Sequence, residues 1–184
     1  MILIRGAEAV LSKSEIIGIP AVLKKRIGKR YRVRRLDEKL RRERTRGEAR
    51  LLNKAKLAGV DCPTVLQVND FEIYITFLEG ERPGMSKEEC SDAGKMLAKL
   101  HENDIIHGDY TPANLILTPE GMFVIDFGLG FISKDIEDKA VDVFTMLRAI
   151  ENRDAFLEGY RSYKKADSIL RRVKKVEQRV RYAF

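Results

Sequence analysis

In the stretch IIHGDYTPANLIL, residues 105–117, an acid sits in a tight His-Gly-Asp turn, and Asn114 follows Asp109 by five residues. Nine residues past the stretch comes Asp126, in FVIDFGL. Between Asn114 and Asp126 lies LILTPEGMFVI, where Pro119-Glu120-Gly121 marks a hairpin turn. A hairpin returns the chain on itself, so Asn114 and Asp126 are expected to approach one another. A Mg²⁺ ion held by one or two side-chain oxygens and by nucleotide phosphates needs that geometry. The competing reading is two polar turns that merely cap structure.

The remaining chain bounds what such a site could serve. At 184 residues, 44% hydrophobic and 34% charged, it fits one domain or two small lobes sharing a ligand. No apolar run is long enough for a membrane span, and MILIRGAEAV is interrupted by Arg5 and Glu8, unlike a signal peptide. Cys62 and Cys90 match no metal spacing, so a reducing cytoplasm, with no membrane partner, is expected. The net charge of +7 is uneven: residues 24–50 carry 14 Lys or Arg against four acids, and residues 161–182 nine against two. Basic segments flanking an acidic middle suggest an anionic partner such as nucleic acid. The alternative is a solvated face laced with ion pairs.

Along the chain, AVLSKSEI (9–16) and AVLKKR (21–26) read as strands around a turn signalled by Gly18 and Pro20. Residues 36–57 favour helix, with Gly59 as C-terminal cap, and FEIYITF (71–77) reads as a strand. LEGERPG then breaks the pattern, dividing a β-rich part with one helix, 1–78, from a mainly helical part, 79–184. Ser86 and Glu89 form a capping box for a helix whose apolar face is Cys90, Ala93, Leu97 and Leu100. His101, at the end of that helix, is expected to cap it. Residues 141–161 and 168–180 read as helices, the second with a stripe of Val173, Val176 and Val180. The expected class is α+β.

Phosphoryl transfer asks a protein mainly for positioning and charge neutralisation. One carboxylate orients the attacking hydroxyl, metal ligands hold the phosphates, and a lysine grips them from the other side. HGDYTPAN matches the protein-kinase spacing H-x-D-x-x-x-x-N, and DFG (126–128) follows in the right order. Each motif is weak alone, and the ordered set is specific. The resemblance to kinases implies Asp109 as base or water-orienting residue, with Asn114 and Asp126 as Mg²⁺ ligands. His107 anchors the turn, since the adjacent acid already supplies the base.

Lys24 resembles the kinase lysine, two residues after Val22 on the same side of a strand. Lys25 is the competing candidate, and alternation turns it outward. Glu48 shares a helix face with Leu52 and Ala55 and would pair with Lys24 in a phosphate clamp. Its alternative is a surface helix charge. The glycine-rich loop is the poor match: RGAEAVL offers only Gly6, in a turn whose amides could cover phosphates. Backbone groups around Thr76, Phe77 and Leu78 would take the adenine edge.

Only 56 residues follow Gly128, no A-P-E motif appears, and EDKAVDVFTMLRAI is already helical. An activation segment and a peptide-seating subdomain have no room. LKKRIGKRYRVRRLDEKLRRERTRGEARLL, HGDYTPANLIL, DFGLGFIS and EDKAVDV together resemble the small RIO-like kinases of the KEOPS complex, the PRPK type. That resemblance implies an archaeal host and a bilobal, minimal protein-kinase-like fold. It implies an ATP- and Mg²⁺-dependent serine/threonine kinase or ATPase. As partners it implies the sugar-kinase-fold subunit that makes threonylcarbamoyladenosine in tRNA, the other KEOPS subunits, and tRNA. Asp142 is then expected to brace the catalytic loop. Arg30, Arg32, Arg34, Arg35, Arg171, Arg172, Lys174 and Lys175 are the candidates for RNA or partner contact. With no activation segment, an outside surface is expected to set the Lys24–Glu48 pair in place.

Two rivals remain. A small-molecule phosphotransferase of the aminoglycoside-kinase type shares HGD…N…D but needs a helical insert for its substrate. A non-enzymatic basic module explains residues 24–50 and 161–182 but not the ordered acids.

Overall fold

The computed structural model describes residues 2–6 and 8–181. Its strands β1 (Ile2–Arg5), β2 (Ala9–Ile16), β3 (Ile19–Arg26), β4 (Val65–Val68) and β5 (Glu72–Thr76) form one antiparallel sheet in the order β1-β2-β3-β5-β4. β2 and β3 pair from Ala9↔Arg26 to Ile16↔Ile19. Their turn is Ile17-Gly18, at φ 51° and 76°. Positive φ at both positions gives the two-residue turn whose twist suits paired strands. Pro20, expected in the turn, instead lies in β3 opposite Glu15.

Helix α1, Arg34–Leu57, packs against β4 and β5. Its buried side is Asp37, Thr45, Glu48, Leu51, Leu52 and Ala55, spaced in threes and fours. The face is polar toward its start and apolar toward its end, so one helix both joins the core and carries a carboxylate inward. Gly59 ends it at φ +74°, with its amide on the Lys56 carbonyl, a conformation glycine adopts without a Cβ penalty.

Helix α2, Lys87–Glu102, starts on the expected capping box, with Ser86 Oγ accepting from the Glu89 amide and Glu89 Oε2 from the Ser86 amide. Cys90, Ala93, Leu97 and Leu100 are fully buried, each leucine contributing about 1.5–3 kcal/mol. After α2 come β6 (Ile105–Ile106), a 3-10 turn (Pro112–Asn114), and the hairpin β7 (Leu115–Thr118) and β8 (Gly121–Val124). Next are β9 (Phe131–Ile132), α3 (Ile136–Ala149), α4 (Arg153–Tyr160) and α5 (Ala166–Arg181). β9 returns to pair with β6.

The single helix expected over 141–161 is two helices. The chain is extended at Ile150, and Asn152 Nδ2 donates to the Met85 carbonyl at 2.8 Å, which holds the break in place. A Cβ added at Gly94 would strike the Phe156 carbonyl, and one at Gly159 the Ser91 carbonyl. Glycine at these two positions lets α2 and α4 touch backbone to backbone. Val173 and Val176 are buried on α5, which packs on α3. The side chain of Val180 and residues 182–184 lie outside the described residues.

Candidate functional site

Strand alternation on β3 turns Lys24 and Arg26 inward, 8% and 6% exposed. Lys25 faces out and pairs with Glu72 at 2.7 Å. Glu48, carried in by α1, uses both oxygens: Oε1 accepts from Lys24 Nζ at 2.6 Å and Oε2 from Arg26 at 2.5 Å. Lys24 Nζ also donates to Asp126 Oδ1 at 2.7 Å. Arg26 is the member that the sequence reading passed over, although its position two residues from Lys24 on one strand was the available signal. Lys24 and Glu48 are in contact within the chain itself.

Asp126 follows the hairpin at φ 59°, a left-handed backbone that costs a non-glycine residue about 1–2 kcal/mol. Strain of this kind gathers at functional sites. Its Oδ1 also accepts the Gly128 amide at 3.0 Å. Partial desolvation works against a charge on this half-exposed side chain, but the Lys24 ammonium, its hydrogen bond and the Gly128 amide hold the carboxyl below its usual range. The Ile125 amide donates to the Asn114 carbonyl at 3.0 Å, which extends the hairpin ladder and makes Asn114 and Asp126 neighbours. Asn114 Nδ2 donates to Asp109 at both its carbonyl (2.8 Å) and Oδ2 (2.9 Å).

This donor set fits Mg²⁺. Its oxygens are hard, Asp109 and Asp126 are exposed, and among the described residues no trio of His, Cys, Asp or Glu builds a complete cage. Mg²⁺ characteristically takes one or two carboxylates and completes its shell with phosphate and water.

Behind the turn, Asp142 on α3 accepts the backbone amides of His107 (2.7 Å, Oδ2) and Gly108 (2.9 Å, Oδ1). His107 Nε2 donates to the Ile125 carbonyl at 3.0 Å, while its Nδ1 accepts the Asp109 amide at 3.3 Å. Those partners assign its proton to Nε2. His101 does not cap α2. It is fully buried, with Nε2 on Asp142 and Nδ1 accepting from the Tyr160 hydroxyl at 2.7 Å. A buried cation, Lys139, donates to the His101 carbonyl, Asp104 and Tyr163 and ties α3 to α2. It stood in the quoted EDKAVDV run without a role.

The remaining sequence candidates divide. The Gly6 amide donates to the Ala9 carbonyl at 2.9 Å and is used inside its own turn, and Ala7 lies outside the described residues. The Thr76 and Phe77 amides donate to Thr64 and Pro20. Leu78 keeps an amide without a backbone acceptor among the described residues. Arg30 and Arg35 are exposed, and Arg34 is exposed beside Glu38. Arg32 turns toward buried Asp37 at 3.8 Å and is not part of that outer face. On α5, Arg171, Lys174 and Lys175 are exposed, whereas Arg172 pairs with Glu137.

The RIO domain family matches residues 22–152 of the chain. A relative from Archaeoglobus fulgidus, "Probable serine/threonine-protein kinase BUD32 homolog", is 43% identical over 171 residues, covering 88% of each chain. One from Methanosarcina mazei, "Probable bifunctional tRNA threonylcarbamoyladenosine biosynthesis protein", is 38% identical over 99% of this chain. The present chain spans 36% of that relative's length. Among solved structures, the Rio2 kinase–ADP/Mg²⁺–phosphoaspartate complex from Chaetomium thermophilum aligns with 100% of this chain and 71% of its own, at TM-score 0.68 and 14% identity. The macrolide 2'-phosphotransferase MphH from Brachybacterium faecium aligns with 89% of this chain and 77% of its own, at TM-score 0.64 and 16% identity. Identities this low speak to the fold alone.

Proposed function

The chain belongs to the RIO domain family, and from that premise we propose an ATP- and Mg²⁺-dependent serine/threonine kinase and ATPase acting in threonylcarbamoyladenosine formation in tRNA. The kinase-like fold expected from the motifs is the one its structural neighbours share. The observation that carries the proposal is the 2.7 Å contact of Lys24 with Asp126, 102 residues apart. It brings the lysine-bearing sheet and the acid-bearing turns to one site. We take 1–78 and 79–184 as the two lobes around it.

Asp126 and Asn114 are the residues that would hold Mg²⁺, which when bound supplies charge neutralisation at the phosphate oxygens. Asp109, oriented by Asn114, accepts the proton of an attacking hydroxyl or orients a water. Lys24 exchanges Asp126 for phosphate and keeps Glu48. The Leu78 amide, without a backbone acceptor among the described residues, would donate to the adenine edge.

The partner in this proposal is the sugar-kinase-fold threonylcarbamoyl-transferring subunit, with the other KEOPS subunits and tRNA, in the cytoplasm. Support comes from the M. mazei relative, whose name joins two functions and 36% of whose length this chain matches. Among the described residues no helix is long and apolar enough to cross a membrane. The test is phosphate release and protein phosphorylation by the chain alone, with that subunit, and with subunit plus tRNA. Mg²⁺-dependent release that rises along the series supports the proposal. Equal rates in all three arms point to a self-sufficient kinase, and no turnover in any arm removes the enzyme.

A further inference from the structure

Glu48 is held by two buried cations, and a lysine–glutamate clamp requires one. We propose that Arg26 is a positioning residue of this clamp, holding Glu48 in place while Lys24 turns to the nucleotide; this rests on Lys24 and Glu48 being the phosphate clamp.

Lys24 is shared between Glu48 Oε1 and Asp126 Oδ1. Once a polyphosphate competes for its ammonium, Glu48 would face a weakened partner while 3% exposed. A buried carboxylate left without compensation is strongly destabilised. Arg26 removes that difficulty, because its guanidinium stays charged and its planar fork fixes direction. It occupies Oε2, the oxygen that Lys24 does not use.

The backbone of Arg26 is itself fixed. Its amide donates to the Phe71 carbonyl at 2.9 Å, its carbonyl accepts from Arg41, and it pairs with Ala9 on β2. The side chain also borders the turn of the metal-ligand acid: a Cβ placed on Gly128 would lie 3.4 Å from Arg26 and 3.5 Å from Lys24 Nζ. Arg26 thus sits where it can hold α1 inward without any activation segment.

The experiment compares Arg26→Gln and Arg26→Lys, each alone and combined with Glu48→Gln. Melting temperature, Mg·ATP affinity from the nucleotide-induced melting shift, and steady-state ATP turnover are read in the partner-containing complex. Arg26→Gln should weaken Mg·ATP binding and lower kcat, each by about tenfold. Arg26→Lys should recover part of both, since it keeps charge without the fork. On the Glu48→Gln background, Arg26→Gln should change neither by more than about twofold, because residues acting as a unit are not additive. Full additivity there would mean Arg26 grips the nucleotide itself and overturns the positioning role. Lower melting with unchanged affinity and turnover per folded molecule overturns it as well. If Arg26→Gln fails to fold, Arg26→Lys carries the same comparison. Wild-type protein that binds no Mg·ATP removes the clamp and this role together. Wild-type binding matched by all Arg26 variants removes this role alone.

Discussion

Two charged clusters lie on either side of the Asp109 turn, and they are built on opposite plans. In front, Arg26, Glu48, Lys24 and Asp126 form an ionic chain in which Lys24 has two carboxylates and the Asp126 side chain is 49% exposed. Behind, Asp142, His101, Tyr160 and the His107 and Gly108 amides form a largely buried set in which each donor has one acceptor. In the front cluster Lys24 is shared between two carboxylates, one of them half open to solvent, so a ligand can take the place of Asp126 on Lys24 without leaving Lys24 or Glu48 unpaired. The rear one has a single satisfied arrangement, and low dielectric makes any departure from it costly. Groups that do chemistry need the first property, and the frame that aims them needs the second.

The contrast breaks most directly at Asp109. Asp109→Asn should lower turnover by about 10²–10⁴-fold with Mg·ATP binding and melting preserved, because this side chain is exposed. Asp126→Asn should keep the fold with a small drop in melting, from the lost pairing with Lys24, and lower Mg²⁺-dependent turnover by about 10²–10³-fold, the scale of losing one preorganised charge-stabilising group. Near-normal turnover in Asp126→Asn would mean the front cluster does not serve the reaction, and in Asp109→Asn that the turn between the clusters does not.

At the rear, Asp142→Ala should act through stability. It strips acceptors from two amides and from His101, a loss of about 3 kcal/mol and about 6–12 °C in melting temperature for a chain this size. Wild-type melting in this variant would erase the distinction between the clusters.

Acid sharpens it further. Burial holds the His101 pKa below its ordinary 6.5, although Asp142 pulls the other way. The unfolded chain therefore takes up this proton first as pH falls. The contribution of neutral His101 to stability is complete above pH 6.5 and shrinks below it. The wild-type melting temperature should drop between pH 7.5 and 5.5, and a His101→Gln variant should show a smaller drop over the interval. Asp126 has the same sign at lower pH: its depressed carboxyl pKa contributes above the ordinary carboxylate value and fades as pH falls through its folded one.

The smallest effect belongs to the outer basic face. Reversing Arg30 and Arg35 should lower the slope of log RNA affinity against log salt by about two, with melting unchanged. An unchanged slope returns that face to a solvated role. Arg32 belongs to a different comparison, because its loss also removes a partner of buried Asp37.

What could be read without coordinates follows from where the determining forces lie. β2, β3, β5 and the β7–β8 hairpin carry their own turn chemistry and β-branched runs, and α2 carries its capping box, so local sequence sufficed. β6 and β9 are two residues each and exist only through their mutual pairing; β4 is hardly longer. No local pattern announces strands of that kind. The break between α3 and α4 contains neither glycine nor proline, and Asn152 makes it by bonding to Met85, a partner remote in sequence. Asp109, Asn114 and Asp126 were legible because their spacing is fixed by one turn and one hairpin. Strand alternation could have turned Arg26 inward beside Lys24, but that it meets the second oxygen of Glu48 is a property of the packed pair. His101 was misplaced at a helix end because burial, invisible to a position count, turned it toward Asp142 and Tyr160.

The short pairing of β6 with β9 closes residues 105–132 into a loop joined at its base. The stretch between the two strands is fastened outward as well, where the Leu117 amide donates to the Glu81 carbonyl and the Val124 amide to the Asp61 carbonyl. Loop-closure entropy grows slowly with length, so a clasp of this size can hold a long loop. Native-state hydrogen exchange should then show the amides of Asn114 and Ile125, both bonded within the loop, exchanging with one shared opening free energy, below that of α2. The segment carrying the acids would thus behave as a single cooperative unit, opening and closing together.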